Sequence, residues 1–226
     1  MIGGSFGGDR TLLVAGLDPR IKLAMPLITS AYLTETYFGP CKDVWNRNID
    51  PKNYLPQATC LFYWMIGTND PYFWIDTWYK STLLPRGQRI VRVDNIDHST
   101  PAALWQPENF AIAKHLFMGD KATIRISAEG HDATSAWAQY DSASIRTATL
   151  WYTTDPDSIP FKSKTWKTAT AHIDSLHKKI SAAIPQGTVV CFFNTQDGNW
   201  NRISSQMINI SSTQLVAPTT TSIANR

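Results

Sequence analysis

The chain has 226 residues, of which 43% are hydrophobic and 17% are charged, and its formal net charge is +3. This length allows one large or two small domains, and the composition is that of a globular protein rather than a disordered one. The small net charge and the scattered Lys and Arg residues argue against nucleic acid as a partner, and no apolar run approaches the roughly 20 residues of a membrane helix.

The chain opens on a glycine-dense turn that is followed by an apolar segment typical of a helix. Residues 3–7, Gly-Gly-Ser-Phe-Gly, fit the G-x-S-x-G pattern of a nucleophile elbow, in which a serine lies on a strained turn between a strand and a helix. In such a turn Ser5 faces the substrate, and the amide of Phe6 at the helix N-terminus can donate to an oxyanion. We expect small neighbours to relieve clashes where the backbone turns sharply. These are Gly3, Gly4, Gly7 and Gly8.

Apolar runs and helical segments then alternate up to residue 118. The predicted strands are Ile21–Ile28, which contains a proline, Cys60–Ile66 and Arg89–Val93, and the predicted helices are Thr11–Gly16, Phe73–Leu84 and Glu108–Phe117. The segment 29–57 reads as loop with helical pieces. Because strand, loop and helix recur in this order, the sequence predicts an α/β fold with buried parallel strands.

Two polar residues lie in the loops that directly follow predicted strands. Asp70 comes after the second strand and His98 after the third. With Ser5 they follow the order serine, acid, histidine of the α/β-hydrolase scheme, in which the histidine takes the serine proton and the acid orients the histidine. Singly, each residue has an ordinary alternative, since Asp70 could cap the following helix and His98 could be a solvated loop residue.

Beyond Gly119 the pattern changes to short alternating runs. The predicted strands here are Ala122–Ser127, Ile145–Tyr152, Thr165–Ile173, Val189–Asn194 and Ile203–Ile210, with Asp197-Gly198 as a tight-turn signal between the last two. Such strands predict a small β-sandwich of the immunoglobulin or fibronectin kind. We therefore expect a partial α/β-hydrolase domain over 1–118, the sandwich over 120–212 and a disordered tail over 213–226.

The remaining candidates for special chemistry are the cysteines and the other histidines. Cys41, Cys60 and Cys191 form no C-x-x-C pair, so they indicate neither a disulfide framework nor a zinc site. No ligand role is assigned to the four histidines outside the triad: His115, His131, His172 and His177. The sequence therefore predicts no metal and no cofactor.

The quoted motifs resemble two known groups of proteins. The Gly-Gly-Ser-Phe-Gly-Gly elbow is similar to that of prolyl-oligopeptidase-like peptidases and esterases. Residues 17–22 with Pro26, and residues 66–70 with Tyr72 and Phe73, are similar to the PhoPQ-activated pathogenicity-related proteins, as is the pattern of residues 148–152 with the later Trp166. The resemblance implies a hydrolase fold, a Ser-Asp-His triad and a β-rich C-terminal extension. It also implies that relatives are often exported, although the N-terminus here lacks a signal-peptide pattern and the localisation stays open.

In the α/β-hydrolase fold the serine follows the fifth strand of eight, whereas only Met1 and Ile2 precede the elbow glycines here. We therefore expect the loop that supplies a second oxyanion donor to be missing and a three-strand remnant to expose an apolar sheet edge. We expect either a truncated gene product or a second chain that supplies the missing half. In both cases the chain alone is expected to hydrolyse little.

Two functions are compatible with this pattern. The first is a serine hydrolase that cleaves a small-molecule ester or a peptide through an acyl-enzyme on Ser5. The alternative is a non-catalytic binding protein whose sandwich holds a glycan or a protein partner through Trp137, Trp166 and Trp200.

Overall fold

Strands and helices alternate through the first half of the chain. A computed structural model describes residues 1–33, 41–141 and 144–210 of the chain. The strands are β1 (Ile2–Gly4), β2 (Leu23–Leu27), β3 (Leu61–Gly67) and β4 (Arg89–Asp94). The helices are α1 (Phe6–Leu17), α2 (Lys42–Asn48), α3 (Ile75–Thr82), α4 (Thr100–Leu104) and α5 (Pro107–Met118). Strands β1 to β4 are parallel neighbours in that order, which confirms the predicted α/β character.

The two central strands form the apolar core of this sheet. Every residue of β2 is buried, and β3 is buried along nearly its whole length, with Phe62 and Trp64 stacked at 5.4 Å between ring centroids. Continuous apolar strands of this kind are typical of parallel sheets that are covered on both faces. Pro26 lies inside β2 and does not end it.

The strands beyond Gly119 divide between two sheets. A four-stranded antiparallel sheet has the order β5 (Arg125–His131), β6 (Ser135–Asp141), β10 (Lys179–Ala183) and β9 (His172–Asp174). The other strands, β7 (Ile145–Thr153), β8 (Lys167–Thr170), β11 (Val190–Asp197), β12 (Arg202–Ser204) and β13 (Ile208–Asn209), extend the parallel sheet. Its full order is β1-β2-β3-β4-β12-β11-β7-β8, with β13 paired to β11. The separate sandwich and the boundary near residue 119 stay predictions.

Two predicted strands of this region are each divided in the structure. The run Thr165–Ile173 splits into β8 and β9, which belong to different sheets. The run Ile203–Ile210 splits into β12 and β13 because the hydroxyl of Ser205, rather than a backbone carbonyl, accepts the N–H of Phe193 at 2.9 Å. The tail from residue 213 lies outside the described residues.

The two ends of the parallel part of the sheet differ. Strand β12 pairs with β4, so the expected bare edge is wrong on that side. Strand β1 lies at the other end of the strand order, where Met1 and Ile2 are 48% and 46% exposed. Among the described residues, no helix combines the length and the apolar character needed to cross a bilayer.

A buried ion cluster connects β4, α5 and β12. The side chain of Arg92 is 1% exposed and pairs with Asp94 at 2.6 Å and with the fully buried carboxylate of Glu108. Glu108 also accepts the backbone N–H of Arg202, whose guanidinium lies 3.3 Å from Asp94. Charges buried in this way are tolerated because each has opposite charges and hydrogen bonds around it.

Candidate active site

The three residues predicted to act together do meet in space. Ser5, Asp70 and His98 each follow the carboxyl end of a parallel strand, β1, β3 and β4 respectively, and these ends share one edge of the sheet. The Nε2 atom of His98 lies 2.9 Å from the Oγ atom of Ser5, and its Nδ1 atom lies 2.7 Å from the Oδ2 atom of Asp70. The site is therefore a continuous series of carboxylate, imidazole and hydroxyl.

The serine lies on a strained turn between β1 and α1. Its backbone has φ 55° and ψ −129°, a region that non-glycine residues rarely occupy. The Ser5 amide donates to the carbonyl of Leu27 on β2 at 3.0 Å, which helps to hold the turn against the sheet. This conformation is the one that a nucleophile elbow requires.

Close contacts with backbone or threonine side chains explain three of the four glycines around Ser5. A Cβ atom at Gly3 would lie 2.2 Å from the carbonyl oxygen of Gly7, so the two limbs of the turn could not come together with a larger residue at position 3. Cβ atoms at Gly8 and Gly4 would lie 2.5 Å and 2.8 Å from threonine side chains. The expectation is wrong for Gly7, since a Cβ atom there would meet open space.

Backbone amides fix the carboxylate of Asp70. Its Oδ1 atom accepts the N–H groups of Tyr72 and Phe73, both at 2.9 Å, and its Oδ2 atom faces His98. Helix α3 begins later, with Trp74 as its N-cap, so the alternative in which Asp70 only caps the helix is wrong. Both oxygens of this buried carboxylate are thus committed to the site.

The loop that carries His98 crosses close to the end of β3. A Cβ atom at Gly67 would lie 2.0 Å from the carbonyl oxygen of Ile96, so only glycine allows this approach. The imidazole is stacked on the ring of Phe73 at 5.5 Å with an interplanar angle of 22°, and the ring of Tyr72 meets it edge-on at 5.1 Å. These aromatic contacts restrict the orientation of the imidazole.

A small cavity opens beside the Ser5 hydroxyl. Its volume is about 190 Å³, and the described residues that line it are Ser5, Phe6, Leu33, Tyr72, Phe73 and His98. Sequence reasoning did not identify Leu33, Tyr72 or Phe73 as site residues. The two aromatics could have been found from their position directly after Asp70, whereas nothing in the sequence around Leu33 marks it.

A second buried carboxyl lies in the first turn of α1, close behind Ser5. Asp9 is 4% exposed, and burial raises the pKa of its carboxyl from 3.8 to about 7. The carboxylate of Asp50, also buried, raises this pKa further, while Arg10 opposes the change. Neutral Asp9 is therefore the favoured form in the folded protein over the acidic range.

This buried carboxyl makes stability depend on pH. Between about pH 4 and pH 7, Asp9 is protonated when folded and ionised when unfolded, so unfolding releases a proton and the free energy of unfolding falls as the pH rises. A rise of the pKa from 3.8 to about 7 corresponds to at most about 4 kcal/mol across this range. Urea titrations at several pH values should show this decline, and Asp9→Asn should remove it. Asp43→Asn, at an exposed position on α2, is the control; an equal decline in wild type and Asp9→Asn contradicts the assignment.

None of the other candidate residues is among the described residues that line the cavity beside Ser5. Trp166 packs edge-on against Phe192 at 5.2 Å between centroids, and Trp137 is half-buried under the ammonium group of Lys179, so of the three tryptophans only Trp200 is largely exposed, at 60%. Cys41, Cys60 and Cys191 are free cysteines. Within the described ranges, no group of three or more His, Cys, Asp or Glu residues is placed to hold a metal ion.

Comparisons with known proteins give partial structural matches only. No protein-family model and no curated protein matches the chain. The acetyl xylan esterase from Paenibacillus sp. R4 is similar over 52% of this chain and 43% of its own, with 20% identity and a TM-score of 0.41. Acetyl xylan esterase 1 from Thermoanaerobacterium sp. JW/SL YS485 is similar over 52% and 43%, with 17% identity and a TM-score of 0.39. For 2,6-dihydroxy-pseudo-oxynicotine hydrolase the shares are 54% and 41%, with 17% identity and a TM-score of 0.39.

The chain thus spans less than half the length of these solved structures. At such low similarity the function has to be argued from the geometry of the site itself. The resemblance to the prolyl-oligopeptidase-like and PhoPQ-activated groups stays a prediction.

Proposed function

We propose that this chain carries the catalytic triad of a serine hydrolase, which cleaves an ester or a peptide bond through an acyl-enzyme on Ser5. The observation that carries the proposal is the hydrogen-bonded series from Asp70 through His98 to Ser5, with distances of 2.7 Å and 2.9 Å. A serine hydroxyl is too weak an acid to attack a carbonyl unaided, and an imidazole that is held in this way can accept its proton.

The reaction follows from the positions of these groups. With the proton of the imidazole on Nδ1, donated to Asp70, the Nε2 atom accepts the proton of the Ser5 hydroxyl as its oxygen attacks the substrate carbonyl. His98 then gives this proton to the leaving group, and the acyl group stays on Ser5. A water molecule, activated by the same Nε2 atom, hydrolyses the acyl-enzyme and restores the serine.

The oxyanion that forms in each step needs hydrogen-bond donors. Phe6 is the first residue of α1, so its amide lies at the helix N-terminus, where N–H groups point out of the helix and the helix dipole favours negative charge. We assign this amide as one donor. The loss of a second donor typically costs on the order of 3 kcal/mol in the transition state.

The second donor is proposed to come from a segment that pairs with β1, either in the same protein or in a second chain. Among the described residues β1 pairs with β2 alone, and its first residue Ile2 and the preceding Met1 are both half-exposed. An unprotected strand edge of this kind is one that natural proteins normally cover. The chain by itself is therefore expected to acylate at Ser5 but to turn over esters slowly.

Covalent labelling tests the proposal without requiring fast turnover. A fluorophosphonate probe should label the chain at one site, which peptide mass spectrometry should identify as Ser5, and Ser5→Ala should abolish labelling. Ser127→Ala, at an exposed serine on β5, is the matched control and should label like wild type. A folded wild-type chain that the probe labels elsewhere, or does not label, overturns the proposed function and leaves the binding-protein alternative.

A further inference from the structure

The cavity beside Ser5 has an apolar floor and an apolar rim. Leu33 and Phe73 are 1% and 4% exposed and form its inner wall, whereas Phe6 and Tyr72 are 43% and 49% exposed and stand at its mouth. Phe6 meets Phe73 edge-on at 6.3 Å between ring centroids, so rim and floor are in contact. Apart from the triad residues themselves, none of the described residues that line the cavity has a charged side chain.

The volume of the cavity limits what can fill it. A dry apolar cavity of about 150 Å³ in another protein binds benzene, and the cavity here is about 190 Å³. A group of about six carbon atoms therefore fills the space. A longer chain must continue past Phe6 and Tyr72 into solvent, where it gains little further burial.

The apolar lining also favours an uncharged group over a charged one. A carboxylate on the buried group would lose its hydration and find no cationic partner among Leu33, Phe73, Phe6 and Tyr72, and burial of an unpaired charge is strongly unfavourable. A neutral chain of the same length has no such cost.

We propose that this cavity binds the acyl group of the substrate, and that the acyl group is short and uncharged, with no more than about six carbon atoms. The inference rests on the proposed function, because it takes Ser5 as the residue that becomes acylated. It goes further by naming the four side chains that select the acyl group. These are Leu33 and Phe73 at the floor and Phe6 and Tyr72 at the rim.

The test varies the acyl group while p-nitrophenol stays the leaving group. Ser5-dependent kcat/KM values, corrected for the rate of Ser5→Ala, are measured for the acetate, butyrate, hexanoate, decanoate and hemisuccinate esters. We expect a rise of up to about fourfold per methylene from acetate to hexanoate, no further rise to decanoate, and a hemisuccinate value at least about 100-fold below that of butyrate.

Substitutions of the residues that line the cavity test whether the cavity causes this dependence of kcat/KM on acyl-chain length. Leu33→Ala enlarges the cavity at its floor, so kcat/KM should continue to rise for acyl chains longer than hexanoate. Because Leu33 is buried and its truncation can destabilise the fold, Phe6→Ala at the half-exposed rim provides an independent variant, which should reduce the gain from acetate to hexanoate while its backbone amide is kept. Phe110→Ala, an exposed aromatic on α5, is the matched control and should leave the profile unchanged.

The outcomes separate the two proposals. A kcat/KM that keeps rising to decanoate, a hemisuccinate that reacts as fast as butyrate, or a profile that Phe6→Ala leaves unchanged overturns the acyl-group proposal and leaves Ser5 as the nucleophile. The absence of Ser5-dependent hydrolysis for every ester, together with no fluorophosphonate labelling, overturns the proposed function itself, and the acyl-group proposal falls with it.

Discussion

The Asp70→Asn variant is expected to label with fluorophosphonate about 10⁴-fold more slowly than wild type, a loss of the size found when the triad acid of another serine hydrolase is replaced by its amide. The reason lies in the two backbone N–H groups, from Tyr72 and Phe73, that donate to Oδ1 of Asp70. In the variant these donors select the carbonyl oxygen of the amide, so its NH₂ group must face Nδ1 of His98. Nδ1 then has to accept, the ring proton moves to Nε2, and Nε2 can no longer take the proton of Ser5.

Labelling time courses followed by intact-protein mass spectrometry measure this effect. Asp97→Asn is the control, because Asp97 is an exposed carboxylate next to His98 in the sequence and should have no effect on the rate. Circular dichroism spectra of both variants should match wild type. An Asp70→Asn rate within tenfold of wild type would mean that Asp70 does not set the protonation state of His98.

The order of the site residues could be predicted because strand ends are visible in the sequence. Asp70 and His98 each follow a predicted strand, Ser5 is marked by the G-x-S-x-G motif, and the carboxyl ends of neighbouring parallel strands meet at one edge. The cavity could not be predicted, since Leu33 reaches it from the loop after β2, in which Ile28 and Tyr32 have positive φ values. Positions of this kind depend on tertiary contacts that no local pattern records.

Secondary structure was missed where local propensity and the final fold disagree. Helix α1 starts at Phe6, five residues before the predicted start. The first turn was missed because Gly7 and Gly8 lower its helix propensity, although the elbow requires a helix there. Strand β6 buries Ala136 and Ala138, whose small side chains give only a weak alternating signal. In both segments the packed fold outweighs the local preference.

The joining of the late strands to the parallel sheet was also not predicted. Strand β12 pairs with β4 through a single pair of residues, Ser204 opposite Val91, and the hydroxyl of Ser204 accepts the N–H of Val93 at 2.8 Å. These partners are more than 100 residues apart in the chain, so short-range patterns cannot indicate the contact. Alternation identified β11 and β12 as strands, but the sequence analysis placed them in the predicted sandwich, whereas in the structure they extend the parallel sheet.

The buried ion cluster makes this junction a second place where one substitution should have a large effect. Glu108→Ala leaves the guanidinium of Arg92 buried with one carboxylate fewer and removes the acceptor of the Arg202 amide. Breaking a buried pair in this way typically costs about 3 to 5 kcal/mol. We expect the free energy of unfolding to fall by that amount.

Urea unfolding followed by tryptophan fluorescence and circular dichroism measures the change. Because Glu108 lies on α5 and Arg202 on β12, loss of the contact should weaken both parts of the chain together, and the two probes should report one common transition at a lower urea concentration. The double variant Arg92→Met/Glu108→Leu should recover most of the stability, since it leaves no unpaired charge in the interior. Arg20→Ala removes a solvent-exposed ion pair with Asp18 and should leave the midpoint unchanged. A Glu108→Ala chain as stable as wild type would mean that the cluster does not stabilise the contact between the α/β part and the strands that extend its sheet.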